Sequence, residues 1–234
     1  RSEAENWSDY LQVKSLYESE LLPLKSDRFT PYLAVEGGAL LQGKLSRLDE
    51  MKNDGVRMLT LVWKDDCCMG GAHNTDRGFT RFGKDALSKM FEIGIVPDVS
   101  HASDKMIYET LDKANEAGRP VCASHSNSRY IRQHTRNLTD EYFTEIKKTG
   151  GIVGISLCCD HLEDTDKRRA DVMSVIRHIE HYMSLGGQFT VCLGCDFDGI
   201  EELPYGFTGA RSLGIIRDEL VRLNYSDELI NRIM

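Results

Sequence analysis

Two short apolar runs, Ile95–Val99 and Pro120–Ala123, each run straight into Ser and then His, giving Ser100-His101 and Ser124-His125. A histidine at the end of a buried strand in an α/β protein stands on the face where active sites are assembled. Two of them on neighbouring strands can converge, and converging imidazoles form a donor set for a divalent metal such as zinc. Glu36 closes a third run, Pro31–Val35, and adds a carboxylate whose two oxygens could bridge two ions. Asp196 follows a fourth run and could take a proton from an activated water. Arg136 and Arg129 lie just after the second histidine, where a guanidinium fork could hold a substrate carboxylate. A single strand-end histidine is an ordinary surface residue; its repetition in matching Ser-His contexts is what favours a metal. By contrast, Asp198-Gly199 reads as an Asx turn and Thr139 as a helix cap. His134, His161, His178 and His181 read as surface or helix-packing residues.

Such residues need a scaffold that gathers strand ends. The order strand, loop, helix, glycine, strand recurs along the chain. A helix capped around Asn6–Asp9 carries Leu11, Leu16, Leu21 and Leu22 and closes near Pro23. The strand Pro31–Glu36, the helix Lys44–Asn53 stopped by Gly55 and the strand Arg57–Trp63 make one βαβ unit. After a loop, Lys64–Arg81, come a helix near Gly83–Glu92, the strand Ile95–Val99, a helix from Ser103 to Ala117 and the strand Pro120–Ala123. Helix Asp140–Lys148, strand Ile152–Leu157, a helix around Lys167–Leu185, strand Phe189–Gly194 and closing helices at Ser212–Leu223 and Asp227–Met234 complete the chain. About six parallel strands in one α/β domain over residues 1–234 suit a doubly wound sheet or a barrel. The barrel is favoured, because no Gly-rich phosphate turn follows the first strand and polar residues end nearly every strand. An eight-stranded barrel leaves about two strands unaccounted for.

Composition excludes several classes. A net charge of −8 with acids and bases interspersed offers no basic stripe for nucleic acid. No apolar run reaches the roughly 20 residues needed to span a bilayer, and no secretory leader is present, so a cytoplasmic protein is expected. Seven cysteines fall as adjacent pairs, Cys67-Cys68 and Cys158-Cys159, or inside apolar strands. Cys192-x-x-Cys195 has metal-knuckle spacing but stands alone within one strand, so reduced thiols are expected.

At these residues the chain resembles the membrane (renal) dipeptidase family of zinc peptidases within the amidohydrolase superfamily, its bacterial members above all. The resemblance runs in order through Ala34-Val-Glu36-Gly-Gly, Arg57–Trp63, Asp98-Val-Ser-His101-Ala-Ser, Ser124-His125-Ser-Asn-Ser-Arg129, His134-Thr-Arg136-Asn137-Leu-Thr-Asp140, Gly150–Ile155 and Gly194-Cys-Asp196-Phe-Asp198-Gly199. It implies a (β/α)8 TIM barrel of the metal-dependent hydrolase type. It also implies hydrolysis of dipeptides by a metal-activated hydroxide. In the family's terms Glu36 bridges two zinc ions, His101 and His125 complete one zinc site, Asp196 is the acid/base carboxylate and Arg136 binds the substrate's terminal carboxylate. The partners implied are a small dipeptide and, at most, a second copy in a homodimer.

Two departures qualify the resemblance. The family's first strand carries a His-x-Asp pair for the other zinc, and no His-x-Asp occurs in this sequence. The family's C-terminal Gly-Gly-Asn segment is absent as well. The expectation is therefore a piece of a family member with only one metal site complete, lacking the first part of the barrel. Second, Trp63 stands where family members with a substrate-facing histidine place it, and an indole can donate but not accept. The rivals are a weakened homologue that binds one metal or a small ligand without turnover, and an α/β domain whose histidines are incidental.

Overall fold

Helices apolar on one side alternate with short β-branched runs, and that alternation gives parallel strands covered by helices. The computed structural model describes residues 7–25, 30–166 and 168–234. The expected cap at Asn6 and the helix start at Lys167 lie outside the described residues. The chain divides into two units, Arg1–Ala117 and Gly118–Met234.

In the first unit, α1 (Trp7–Leu16) precedes β1 (Leu33–Glu36). Next come α2 (Ser46–Asn53), β2 (Val56–Thr60), α3 (Arg81–Ile93), β3 (Val96–Asp98) and α4 (Asp104–Ala117). The three strands are parallel in the order β1-β2-β3. Their register sets Glu36 beside Thr60 and Thr60 beside Asp98, so three polar residues finish the sheet abreast. Leu48, Met51, Leu59, Ala86 and Met90 are sealed between helices and sheet. Thr80 caps α3 by accepting from the Gly83 N–H, and Ser103 Oγ accepts from the Met106 N–H at 3.1 Å to start α4.

In the second unit, α5 (Asp140–Lys148), β4 (Val153–Ile155), α6 (Cys159–Leu162), α7 (Val172–Ser184) and β5 (Val191–Leu193) lead to α8 (Gly214–Arg222) and α9 (Asp227–Ile233). β4 and β5 are parallel. Asp171 and Ser174 form a capping box at the start of α7. Phe143 and Tyr182 stack with ring centroids 4.1 Å apart beneath Ile155, Val175 and Ile179, all buried.

Three expectations are corrected. The run Pro120–Ala123 is not a strand but a single parallel bridge, Ala123 to Val153. Proline has no N–H to give and the chain turns at Ser124, so only Ala123 pairs on both sides, its N–H to the Ile152 carbonyl and its carbonyl from the Gly154 N–H. The Ser212–Leu223 helix divides into a 3-10 turn, Ala210–Leu213, and α8. β5 stops at Leu193, so Cys195 lies past the strand; all seven cysteines are free thiols. Leu11 and Leu16 on α1, with Leu21 and Leu22 in the turns that follow it, are exposed, whereas Tyr10 on α1 is buried and donates its hydroxyl to Asp54 Oδ2 at 2.9 Å.

Candidate active site

The end of the first unit's sheet carries the first two candidates. Glu36 Oε1 and His101 Nε2 are 3.2 Å apart. Two donors each about 2.1 Å from a tetrahedral ion sit about 3.4 Å apart, so this pair is spaced as two ligands of one ion. His101 reaches its place by an unusual backbone, a left-handed φ of +70°. A non-glycine residue there costs roughly 1–3 kcal/mol and is held by its surroundings. What holds it is Asp98, fully buried: its Oδ1 accepts the Ser100 N–H at 3.0 Å and its Oδ2 the Thr60 hydroxyl at 2.6 Å. The His101 carbonyl in turn accepts the His73 N–H at 2.7 Å. Trp63 is half-buried just beyond β2, and a Cβ on Gly37 would stand 3.6 Å from its own Cβ, so the indole flanks the Glu36 turn. Lys64 Nζ covers its ring at 4.1 Å from the centroid.

The second unit holds the others. His125 is 7% exposed, and its Nδ1 is engaged by Ser124 Oγ at 2.7 Å, which leaves Nε2 as the donor turned away from its own backbone. The two Ser-His pairs, alike in sequence, are thus held differently: His101 by the Asp98 turn, His125 by its own serine. Ser124 is gripped from both sides, since a Cβ on Gly154 or Gly194 would come within 2.0 or 1.9 Å of its carbonyl oxygen. The chain after His125 is fastened by buried Asn127. Its Nδ2 donates to the Ser156 carbonyl at 3.1 Å and its Oδ1 accepts the Ser156 N–H at 2.9 Å.

Arg136 is buried, and its backbone N–H donates to His134 Nδ1 at 3.1 Å. Burial, then the charges of Arg132 and Arg136, hold His134 below the usual imidazole range, keeping it the neutral acceptor this bond needs. Arg129 spends its guanidinium on the loop itself, Nε to the Asn137 carbonyl at 2.7 Å and Nη2 to the Thr135 carbonyl at 3.2 Å. Asp196 also has a left-handed backbone, φ +54°, and its carboxylate folds over Gly199, where a Cβ would lie 2.0 Å from Oδ1. Two of the four non-glycine residues with positive φ among those described are therefore His101 and Asp196. Sequence reasoning passed over Thr60, His73, Asp98 and Asn127. The one local signal was Asp98, an acid at the end of an otherwise apolar run.

His178 on α7 braces the same loop. It accepts the Ser128 N–H at Nδ1 (3.0 Å) and donates Nε2–H to the Leu162 carbonyl (3.0 Å), which requires the neutral ring. Burial pushes its pKa down to about 4. The unfolded chain takes up this proton near pH 6.5 and the folded one only near 4, so stability is full above pH 6.5 and is lost as pH falls through that window. The group contributes about 3 kcal/mol of pH-dependent stability. Urea unfolding at pH 7 and pH 4.5 checks this, and a His178→Gln variant is expected to flatten the difference.

The family model for membrane dipeptidase, peptidase family M19, matches residues 13–234. The chain belongs to that family. It is 29% identical over 209 residues to a protein of Schizosaccharomyces pombe named as an uncharacterized dipeptidase, covering 86% of this chain and 50% of that protein. Dipeptidase 3 of Rattus norvegicus is 28% identical over 210 residues, at 86% and 42% coverage. Among solved structures, a metallo peptidase described as dipeptidase AC superposes with a TM-score of 0.79 at 26% identity, over 86% of this chain and 62% of that one. A metallo peptidase from Rhodobacter sphaeroides, described as liganded with a phosphinate mimic of the dipeptide L-Ala-D-Ala, gives 0.78 at 26%, over 86% and 59%. The chain thus spans about half the length of the curated relatives it matches. Family membership fixes the fold class, an α/β metallohydrolase of the TIM-barrel type of which this chain carries a part, and implies a metal. Among the described residues no helix is long and apolar enough to cross a membrane.

Proposed function

We propose that this protein is a zinc-dependent dipeptidase in which Glu36, His101 and His125 hold one ion. The observation that carries the reading is the 3.2 Å approach of Glu36 Oε1 to His101 Nε2, achieved at a left-handed histidine. One carboxylate oxygen and two imidazole nitrogens are the donor types zinc takes when it keeps a position open for catalysis. Bound there, the ion would acidify water and polarise a peptide carbonyl. The chain's own residues do the rest. An Asp196 carboxylate oxygen accepts the proton of the attacking water and returns it to the leaving amino nitrogen. Arg136 forks the C-terminal carboxylate, which fixes the length of the substrate at two residues. Trp63 offers an indole face, stiffened by Lys64, to a substrate side chain in place of a histidine's hydrogen bond.

The test is turnover of a dipeptide panel by the whole gene product, before and after chelation and zinc repletion. Activity should vanish and return, and persistence after chelation overturns the reading. Arg136→Lys keeps the charge but loses the fork. It is expected to raise KM about 10- to 100-fold, as a charge-assisted bond of roughly 1.5–3 kcal/mol is weakened, with kcat changed less. Substrates amidated at the C-terminus should not distinguish the variant from the parent.

A further inference from the structure

The His73 side chain has no part in the chemistry above, yet the loop after β2 is built to place it. Residues 66–77 close on the Asp66 carboxylate: Oδ1 accepts the Ala72 N–H at 2.8 Å and the Thr75 hydroxyl at 3.1 Å, and Oδ2 pairs with Arg77 Nη1 at 2.9 Å. The Thr75 N–H turns back to the Ala72 carbonyl at 2.9 Å, and a Cβ on Gly71 would stand 2.3 Å from the Arg77 carbonyl oxygen, so the loop closes tightly on itself. Its tip is clamped to the chain that follows β3. Ala72 and Ala102 form an antiparallel bridge, the Ser103 N–H donates to the Gly71 carbonyl at 3.0 Å and the His73 N–H donates to the His101 carbonyl at 2.7 Å. Residues directly opposite one another across such a bridge carry their side chains on the same face. Here His73 stands opposite His101, and the two rings do lie together, centroids 6.4 Å apart and planes inclined at 68°. His73 is only half-buried, so the ring can be reached from solvent. Among the described residues, the donors close enough to share one ion are Glu36, His101 and His125, and His73 is not one of them. At this separation the nearest nitrogens of the two rings are at least roughly 4 Å apart, too far for a direct hydrogen bond and wide enough for a third polar atom.

We propose that His73 is a further catalytic residue of this site, donating its ring N–H to the scissile carbonyl oxygen of a dipeptide as that oxygen gains negative charge. The inference rests on the dipeptidase reading and adds to it a donor held in advance where charge develops. A neutral imidazole carries one N–H in either tautomer, and the proton stays on the ring throughout, so the residue acts without changing its charge. Because the bond strengthens only as the oxygen becomes charged, it speeds the chemical step and leaves ground-state binding nearly unchanged. The closed Asp66 loop serves that purpose by fixing the imidazole before substrate arrives.

The test uses the whole gene product loaded with zinc. His73→Phe keeps an aromatic ring and removes the donor; kcat should fall about 10²- to 10³-fold, with KM and zinc content close to those of the parent. Calorimetry with a phosphinate mimic of a dipeptide, whose tetrahedral oxygen stands for the charged one, should show affinity lowered about 10²-fold. His73→Gln returns an N–H donor and should recover part of both losses. In the unaltered protein, the His73 ring proton, identified as the signal missing from His73→Gln, should move downfield when the phosphinate binds. Loss of zinc from His73→Phe would make the residue a metal ligand, and unchanged phosphinate affinity would make it a loop residue; either overturns the assignment and leaves the dipeptidase reading standing. A ring proton that does not move at saturating phosphinate overturns it whatever the variants do. A parent that hydrolyses no dipeptide overturns both readings together.

Discussion

His125→Ala is expected to remove about one zinc ion per chain and to lower kcat/KM for dipeptides by at least about 10³-fold, the several kcal/mol of charge stabilisation that a bound ion supplies. The imidazole is nearly sealed from solvent, and its Nδ1 is already committed to Ser124 Oγ, so only Nε2 is directed outward to bind. Alanine leaves the Ser124 carbonyl between Gly154 and Gly194, so the backbone path has no reason to change. Metal analysis and a thermal melt on the same sample separate the two consequences: zinc should fall while cooperative unfolding persists. Ser124→Ala makes the graded case, because losing the group that orients a ligand costs about 10- to 100-fold in metal affinity without deleting the ligand. A His125→Ala protein that kept both its zinc and its dipeptide turnover would remove His125 from the site.

The strand ends were readable because they depend on local pattern. Glu36, His101 and Asp196 each follow an apolar run, and the glycine-punctuated helices between such runs announce a parallel sheet. What holds those residues in place was not readable. Asp98 meets the Thr60 hydroxyl across 38 residues and Asn127 meets Ser156 across 29, and pairings at that range leave no periodicity in the sequence. The left-handed backbones of His101 and Asp196 were hidden for a related reason: aspartate and histidine enter that conformation more often than most residues but far less often than glycine, so neither marks it by its type alone. The two serines preceding the histidines invited one explanation and received two. Arg129, weighed beside Arg136 for the substrate carboxylate, proved to be tied to the backbone of its own loop. Pro120–Ala123 has the apolar content of a strand without its hydrogen-bond supply, because proline has no N–H to give and only Ala123 pairs.

Asp196→Asn is expected to cut kcat by about 10²- to 10⁴-fold, the range a positioned general acid/base contributes, while zinc content and melting temperature stay near those of the parent. Asparagine is the right replacement because φ at this position is +54°, a conformation it tolerates better than alanine does, and because it fills the same volume over Gly199. Asp196→Ala would mix lost proton transfer with backbone strain, so its larger defect would be harder to assign. An amide cannot take the proton of water, so the alkaline and neutral rates should fall together and KM should move little. A fall in kcat of less than about tenfold, with metal retained, would leave Asp196 as a turn-forming residue and require the proton to go elsewhere.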